Sequence, residues 1–105
     1  MNCSRNDVVL LPIPFTDLTS RKVRPAIIIG RSGADLFLVP ISSVLANTDF
    51  TLKEWRAAGL NVPCGVKAQI ATVEERLAVK IVGGLRAADQ QRLDERLQLW
   101  LGLKK

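Results

Sequence analysis

Arg21, Lys22 and Arg24 arrive almost together and form the densest basic cluster of the chain. A guanidinium is a planar fork of N–H donors that grips the oxygens of a phosphate or carboxylate two at a time, so Arg24 is suited to binding an anion. Ser42 and Ser43 add two hydroxyls at the exit of the apolar run Leu36-Phe37-Leu38-Val39-Pro40-Ile41; such a pair reads as turn chemistry or as hydrogen-bond donors to a ligand. In Val66-Lys67-Ala68-Gln69-Ile70-Ala71 weak alternation places Lys67 and Gln69 on one face. Proton acceptors are scarce by contrast. The chain has no histidine, and a serine hydroxyl without a partner accepts no proton at neutral pH. Cys3 and Cys64 stand far apart with no ligand neighbours, which excludes a zinc site by spacing and implies no metal or cofactor.

These groups need rigid mounts. Arg24-Pro25-Ala26-Ile27-Ile28-Ile29-Gly30 reads as a buried central strand: a β-branched apolar run stopped by glycine, with Pro25 biasing Arg24 toward extended backbone at the strand's entrance. Asn6 to Leu11 reads as a first strand ended by Pro12, and the proline, threonine and aspartate residues of 12–20 as a loop. Ser32-Gly33-Ala34-Asp35 has the composition of a hairpin turn into a strand over 36–41. Asp49 or Thr51 caps a predicted short helix through 53–57 that ends at Gly59. Strands are expected over 66–71 and 77–82, with 72–76 as a connection. Leu93, Leu97, Trp100 and Leu101 then recur at helical spacing, an amphipathic C-terminal helix whose stripe covers the sheet. The expected fold is mainly β (α+β): a small SH3-like antiparallel β-barrel with a short helix and a C-terminal amphipathic helix.

With 105 residues, 48% of them hydrophobic, the chain suits one domain over 1–105 with a modest core, and an apolar face left for a partner subunit is expected. Fifteen Lys and Arg against ten Asp and Glu leave a net charge of +5, which favours a polyanionic partner or a plain solvated basic surface. No secretory leader pattern and no apolar stretch near the roughly 18 residues of a membrane span stand out, so a soluble, cytoplasmic protein with free thiols is expected, not a membrane partner.

Asn6-Asp7-Val8-Val9-Leu10, Pro14-Phe15-Thr16-Asp17, Arg24-Pro25-Ala26-Ile27-Ile28, Val39-Pro40-Ile41-Ser42-Ser43, Trp55 with Gly59-Leu60, and Gly83-Gly84-Leu85 with Asp89 together resemble the PemK/MazF toxin family. The resemblance runs across nearly the whole chain. It implies an SH3-like barrel of the plasmid-maintenance toxin type, a homodimer, and metal-free cleavage of single-stranded RNA that a cognate acidic antitoxin blocks by covering the groove. It also implies that Arg24, the arginine of the Arg-Pro pair, is catalytic, with Ser42 at the family's following hydroxyl position. Arg21, Lys22, Ser43, Lys67, Gln69, Phe15 and Asp17 are the expected RNA-binding residues, Lys67 as a phosphate contact and Phe15 as a stacking partner.

Two departures bear on the mechanism. Family members commonly open with Gly-Asp where this chain has Asn6-Asp7, and some carry an acidic residue near Lys67 and Gln69. Gln69 takes no proton, so Asp17 is the remaining candidate base, against its simpler reading as an Asx-turn residue. A non-catalytic alternative therefore stays open: a gyrase-inhibitor-like toxin, an inactive remnant that still binds antitoxin, or a nucleic-acid-binding module of the same fold.

Overall fold

Ala26, Ile27 and Ile28 are each fully shielded from solvent, as a strand covered on both faces requires. They belong to β2 (Val23–Ser32), the longest strand, which pairs with β1 (Asp7–Pro12) on one side and β3 (Asp35–Ser42) on the other. The computed structural model describes residues 1–13 and 22–103. Further strands are β4 (Phe50–Thr51), β5 (Gly65–Val66), β6 (Ala71–Glu74) and β7 (Lys80–Gly84), followed by the helix α1 (Ala87–Trp100). All pairings are antiparallel in a seven-stranded sheet of order β4-β5-β3-β2-β1-β7, with β6 also on β3.

Alternation along the strands divides the interior in two. Val8, Ile27, Val39 and Ile41 face a larger core with Phe50, Leu52, Ala58, Val66 and the helix residues Leu93 and Leu97. Val9, Leu11, Ala26, Ile28, Leu36 and Leu38 face a smaller one closed by Cys3 and Val73. Burying Leu93 and Leu97 stabilises the docked helix by about 2 kcal/mol each.

Several expectations need correction. The barrel description holds only loosely, because among the described residues the end strands β4 and β7 do not pair and the sheet stays open. Pro12 does end β1, as its last residue, and is itself still paired with Val23. The short helix over 53–57 is absent: Lys53 to Gly59 form successive turns, since so few residues gain too little to offset helix nucleation. These turns are held from outside. The buried Asp89 carboxylate accepts the N–H groups of Lys53 and Glu54, both at 2.9 Å, whereas Asp49 accepts Arg96 Nε at 2.6 Å and Thr51 lies in β4.

Downstream, the strand predicted over 66–71 is split between β5 and β6, so Lys67 and Gln69 occupy the connection between strands rather than a strand face. The predicted connection over 72–76 falls mostly in β6 and a short 3-10 turn at Glu75–Leu77, and the last strand runs from Lys80. In the C-terminal stripe Trp100 is only partly buried and Leu101 is 55% exposed. Leu101 lies just past the helix, where Gly102 (φ 69°) donates to Leu99 O and Leu103 N–H to Gln98 O at 2.9 Å, a Schellman ending.

Asn6 takes a left-handed φ of 74° while its N–H donates to Ile28 O and its carbonyl accepts Leu85 N–H. Asparagine and glycine are the residues that visit this region readily, so Asn6 fits a position where the resembling family has glycine.

Candidate functional site

Arg24 stands opposite Leu11 in the β1–β2 register, and Ala26, two residues on, stands opposite Pro40 of β3. Residues two apart share a face, so Arg24 and Ser42 continue the side of the sheet that carries Leu11, Ala26 and Pro40. There the smaller core runs out at the strand ends. Beyond it lies a pocket of about 180 Å³ lined by Ile13, Arg24, Pro40, Ile41, Ser42, Lys67 and Gln69. Lys67 is placed by its N–H, which donates to Pro40 O at 3.0 Å.

A second pocket, about 400 Å³, shares Arg24, Ile41 and Ser42 with the first and extends over the opposite face, past Pro25 and Val44 to Leu60, Asn61, Val62 and Val82. The two form one cleft with Arg24 at the junction. One half adds Lys67 and Gln69 to the shared Arg24 and Ser42, the other adds Ser43, Asn61 and the aliphatic Val44, Leu60, Val62 and Val82. Neither half is lined by a described carboxylate. Among the described residues no group of three His, Cys, Asp or Glu is placed to hold a metal ion.

Ser42 Oγ accepts the N–H of Val44 at 3.0 Å, which makes the turn and leaves its own proton to donate elsewhere. Its turn role and a ligand role are thus compatible. Arg24 is exposed and makes no hydrogen bond or ion pair among the described residues. Across the cleft, Leu60 N–H donates to Trp55 O at 3.1 Å, and the Arg56 guanidinium lies 4.9 Å from the Trp55 ring centroid. Any Cβ on Gly59 (φ 98°) or Gly83 would overlap the opposing backbone, Val82 for the first and Ala58 for the second, so the two segments cross in direct main-chain contact. Cys64 Sγ donates to Val62 O at 3.2 Å, and burial raises the Cys64 thiol above its ordinary range, so it stays protonated at neutral pH.

At the far end of β2, Arg31 is fully engaged. Its Nη1 and Nη2 donate to the two Glu75 oxygens at 2.9 and 2.8 Å, with further bonds to Cys3 O and Gly33 O. The Arg31 hydrogen bond, then the Cys3 N–H, hold the Glu75 carboxyl at about 2.

The structure therefore brings four of the sequence-selected residues, Arg24, Ser42, Lys67 and Gln69, into one pocket, and Ser43 into its neighbour. Lys22 precedes β2 and lines neither pocket. Arg21, Phe15 and Asp17 lie outside the described residues. Residue patterns did not single out the aliphatic wall at Leu60, Asn61 and Val62. Its signal was a polar residue between two apolar ones just after Gly59.

No family model and no curated protein matches the sequence. Among solved structures the fold is shared with two mycobacterial proteins. An endoribonuclease in complex with its cognate antitoxin, from a mycobacterial species, superimposes with a TM-score of 0.72 at 21% identity, covering 100% of this chain and 99% of its own. The Mycobacterium tuberculosis toxin MazF-mt6 does so with a TM-score of 0.73 at 18% identity, covering 94% of this chain and 99% of its own. At these identities the likeness is one of fold.

Proposed function

We propose that this chain is the toxin of a type II toxin–antitoxin pair, a metal-independent endoribonuclease that cuts single-stranded RNA by attack of the 2′-hydroxyl on the adjacent phosphorus. The observation that carries this reading is the meeting of Arg24, Ser42 and Lys67 in one cleft at the ends of β2 and β3, on a fold shared with an endoribonuclease. In the step, the 2′-oxygen bonds to phosphorus, the 5′-oxygen leaves, and the products are a 2′,3′-cyclic phosphate and a 5′-hydroxyl. Arg24 donates to two nonbridging oxygens and stabilises the dianionic phosphorane more than the monoanionic ground state. Ser42 donates a further hydrogen bond. The Lys67 ammonium holds the backbone or supplies the proton the 5′-oxygen needs. Asp17 is the sequence's candidate acceptor for the 2′-hydroxyl proton.

The partners follow from charge. A cationic cleft on a chain of net charge +5 attracts RNA, and an acidic, flexible antitoxin segment would order on the same surface, with affinity falling as salt rises. In this reading the single domain spans 1–105, works as a homodimer and acts in the cytoplasm. No described helix is long and apolar enough to cross a membrane.

A second reading, a non-catalytic RNA binder or inactive remnant on the same fold, is favoured by the lack of a carboxylate in the described lining. One assay separates the two: a long RNA incubated with the protein in excess chelator, with the 5′ ends of the products mapped. Sequence-selective cuts that survive chelation and carry 5′-hydroxyl ends are expected. A strict magnesium requirement overturns the mechanism, and RNA retained without being cut favours the second reading.

A further inference from the structure

Val44 and Val62 are 56% and 50% exposed, yet both border the aliphatic half of the cleft, where Leu60 and Val82 complete the wall. Asn61, exposed, lies between Leu60 and Val62 in the chain and lines the same wall. Its side-chain amide, one acceptor and two donors, makes no hydrogen bond among the described residues. A cleft of about 400 Å³ that sets the aliphatic Val44, Leu60, Val62 and Val82 beside the polar Arg24, Ser42, Ser43 and Asn61 has the form of a site for a small ligand with apolar faces and polar edges.

The wall is fixed before any ligand arrives. Asp89 clasps the Lys53 and Glu54 N–H groups, the Gly59 and Gly83 backbones lock against each other, and Cys64 Sγ holds Val62 O. On the facing side Ser42 Oγ secures Val44. A site held from both sides can discriminate by small differences in hydrogen bonding, because neither wall yields to a poor fit.

We infer that this half of the cleft is a nucleobase subsite, with the base between the Val44 and Val62 side chains and its edge read by Asn61. The inference rests on the RNA-cleaving reading above for its choice of ligand. Arg24 borders both pockets, so a phosphate held there leaves one attached nucleotide facing Asn61 and the other facing Lys67 and Gln69. Aliphatic side chains accept the faces of any base. The amide distinguishes their edges, since a buried edge group left without a partner is costly while a matched donor and acceptor pair is not. Asn61 is thus a specificity-determining residue for the nucleotide beside the scissile phosphate.

The test uses four dinucleotides that differ only in the base at one position and carry 2′-deoxyribose, so that they bind without being cut. Binding is followed by amide shifts in the full chain, wild type and Asn61→Ala. The wild type is expected to rank the four over roughly a tenfold range, as one edge-reading contact gives. In Asn61→Ala the ranking should collapse to within about twofold while affinity for the shared phosphate remains, since Asn61 makes no contact that holds the fold. Equal or absent binding of the four by the wild type, or an unchanged ranking in the variant, overturns the subsite. Mapping the cuts in long RNA separates the two ideas. Ranked binding without cleavage defeats the nuclease reading and leaves the subsite standing, whereas unchanged cut sites in Asn61→Ala do the reverse.

Discussion

Arg24 and Arg31 lie on the same strand, β2, and lead opposite lives. Arg31 uses Nε, Nη1 and Nη2 on Glu75, Cys3 and Gly33, tying the amino-terminal segment to the turn after β6. Arg24 has no such partner among the described residues and opens onto a cleft whose described lining lacks a carboxylate. A guanidinium surrounded by its own acceptors has no capacity left for a phosphate. One held beside hydroxyl and ammonium groups keeps its fork for a ligand. What separates the two arginines is whether the fold supplies the anion.

The contrast is broken most sharply at Arg24. Arg24→Lys keeps the charge and gives up the two-pronged donor, so single-turnover RNA cleavage should fall on the order of 10²-fold or more while the thermal midpoint stays unchanged. An unchanged rate in that variant would move Arg24 to the structural side beside Arg31. RNA affinity measured in parallel should weaken only modestly, as one phosphate contact among several.

Ser42→Ala comes next, with a loss of about 10-fold, the worth of one neutral donor in the transition state. Ser43 lines the adjoining pocket and substitutes in part. The measurement is the same single-turnover rate, and a loss as large as that of Arg24→Lys would show that the hydroxyl does more than donate.

The smallest effect on cleavage belongs to the other arginine. Glu75 has its carboxyl lowered from an ordinary 4.5 to about 2, first by the Arg31 hydrogen bond and then by the Cys3 N–H. A carboxyl with a depressed folded value stabilises the fold above its unfolded value, and that contribution is lost as pH falls through the folded one. Thermal midpoints of the wild type should therefore drop between pH 4.5 and 2 by more than those of Glu75→Gln, with neutral-pH cleavage the same in both. A cleavage defect in Glu75→Gln would mean that the two ends of β2 are coupled.

Much of this was legible in the residues because the signals were local. Pro25 and the β-branched run after it announced β2, and residue order placed Arg24 and Ser42 at neighbouring strand ends. Lys67 and Gln69 reached the site for a different reason than alternation suggested, since the chain leaves β5 just before them. The segment after Thr51 was misread because its cap comes from Asp89 on α1, distant in sequence and invisible to any window of helix signals. Leu101 fitted the helical period, but Gly102 had already ended the helix beside it. The aliphatic wall is a product of tertiary contact alone: nothing before Gly59 says that its backbone will meet that of Gly83.

Trp55 lies at the root of that wall, its carbonyl bound to Leu60 N–H and its ring beneath Arg56. The chain contains no tyrosine and just one other tryptophan, Trp100 at the end of α1. With Trp100 replaced by phenylalanine, the ultraviolet emission of the protein would come from a single indole whose backbone holds the cleft, an optical reporter already in place without any attached label.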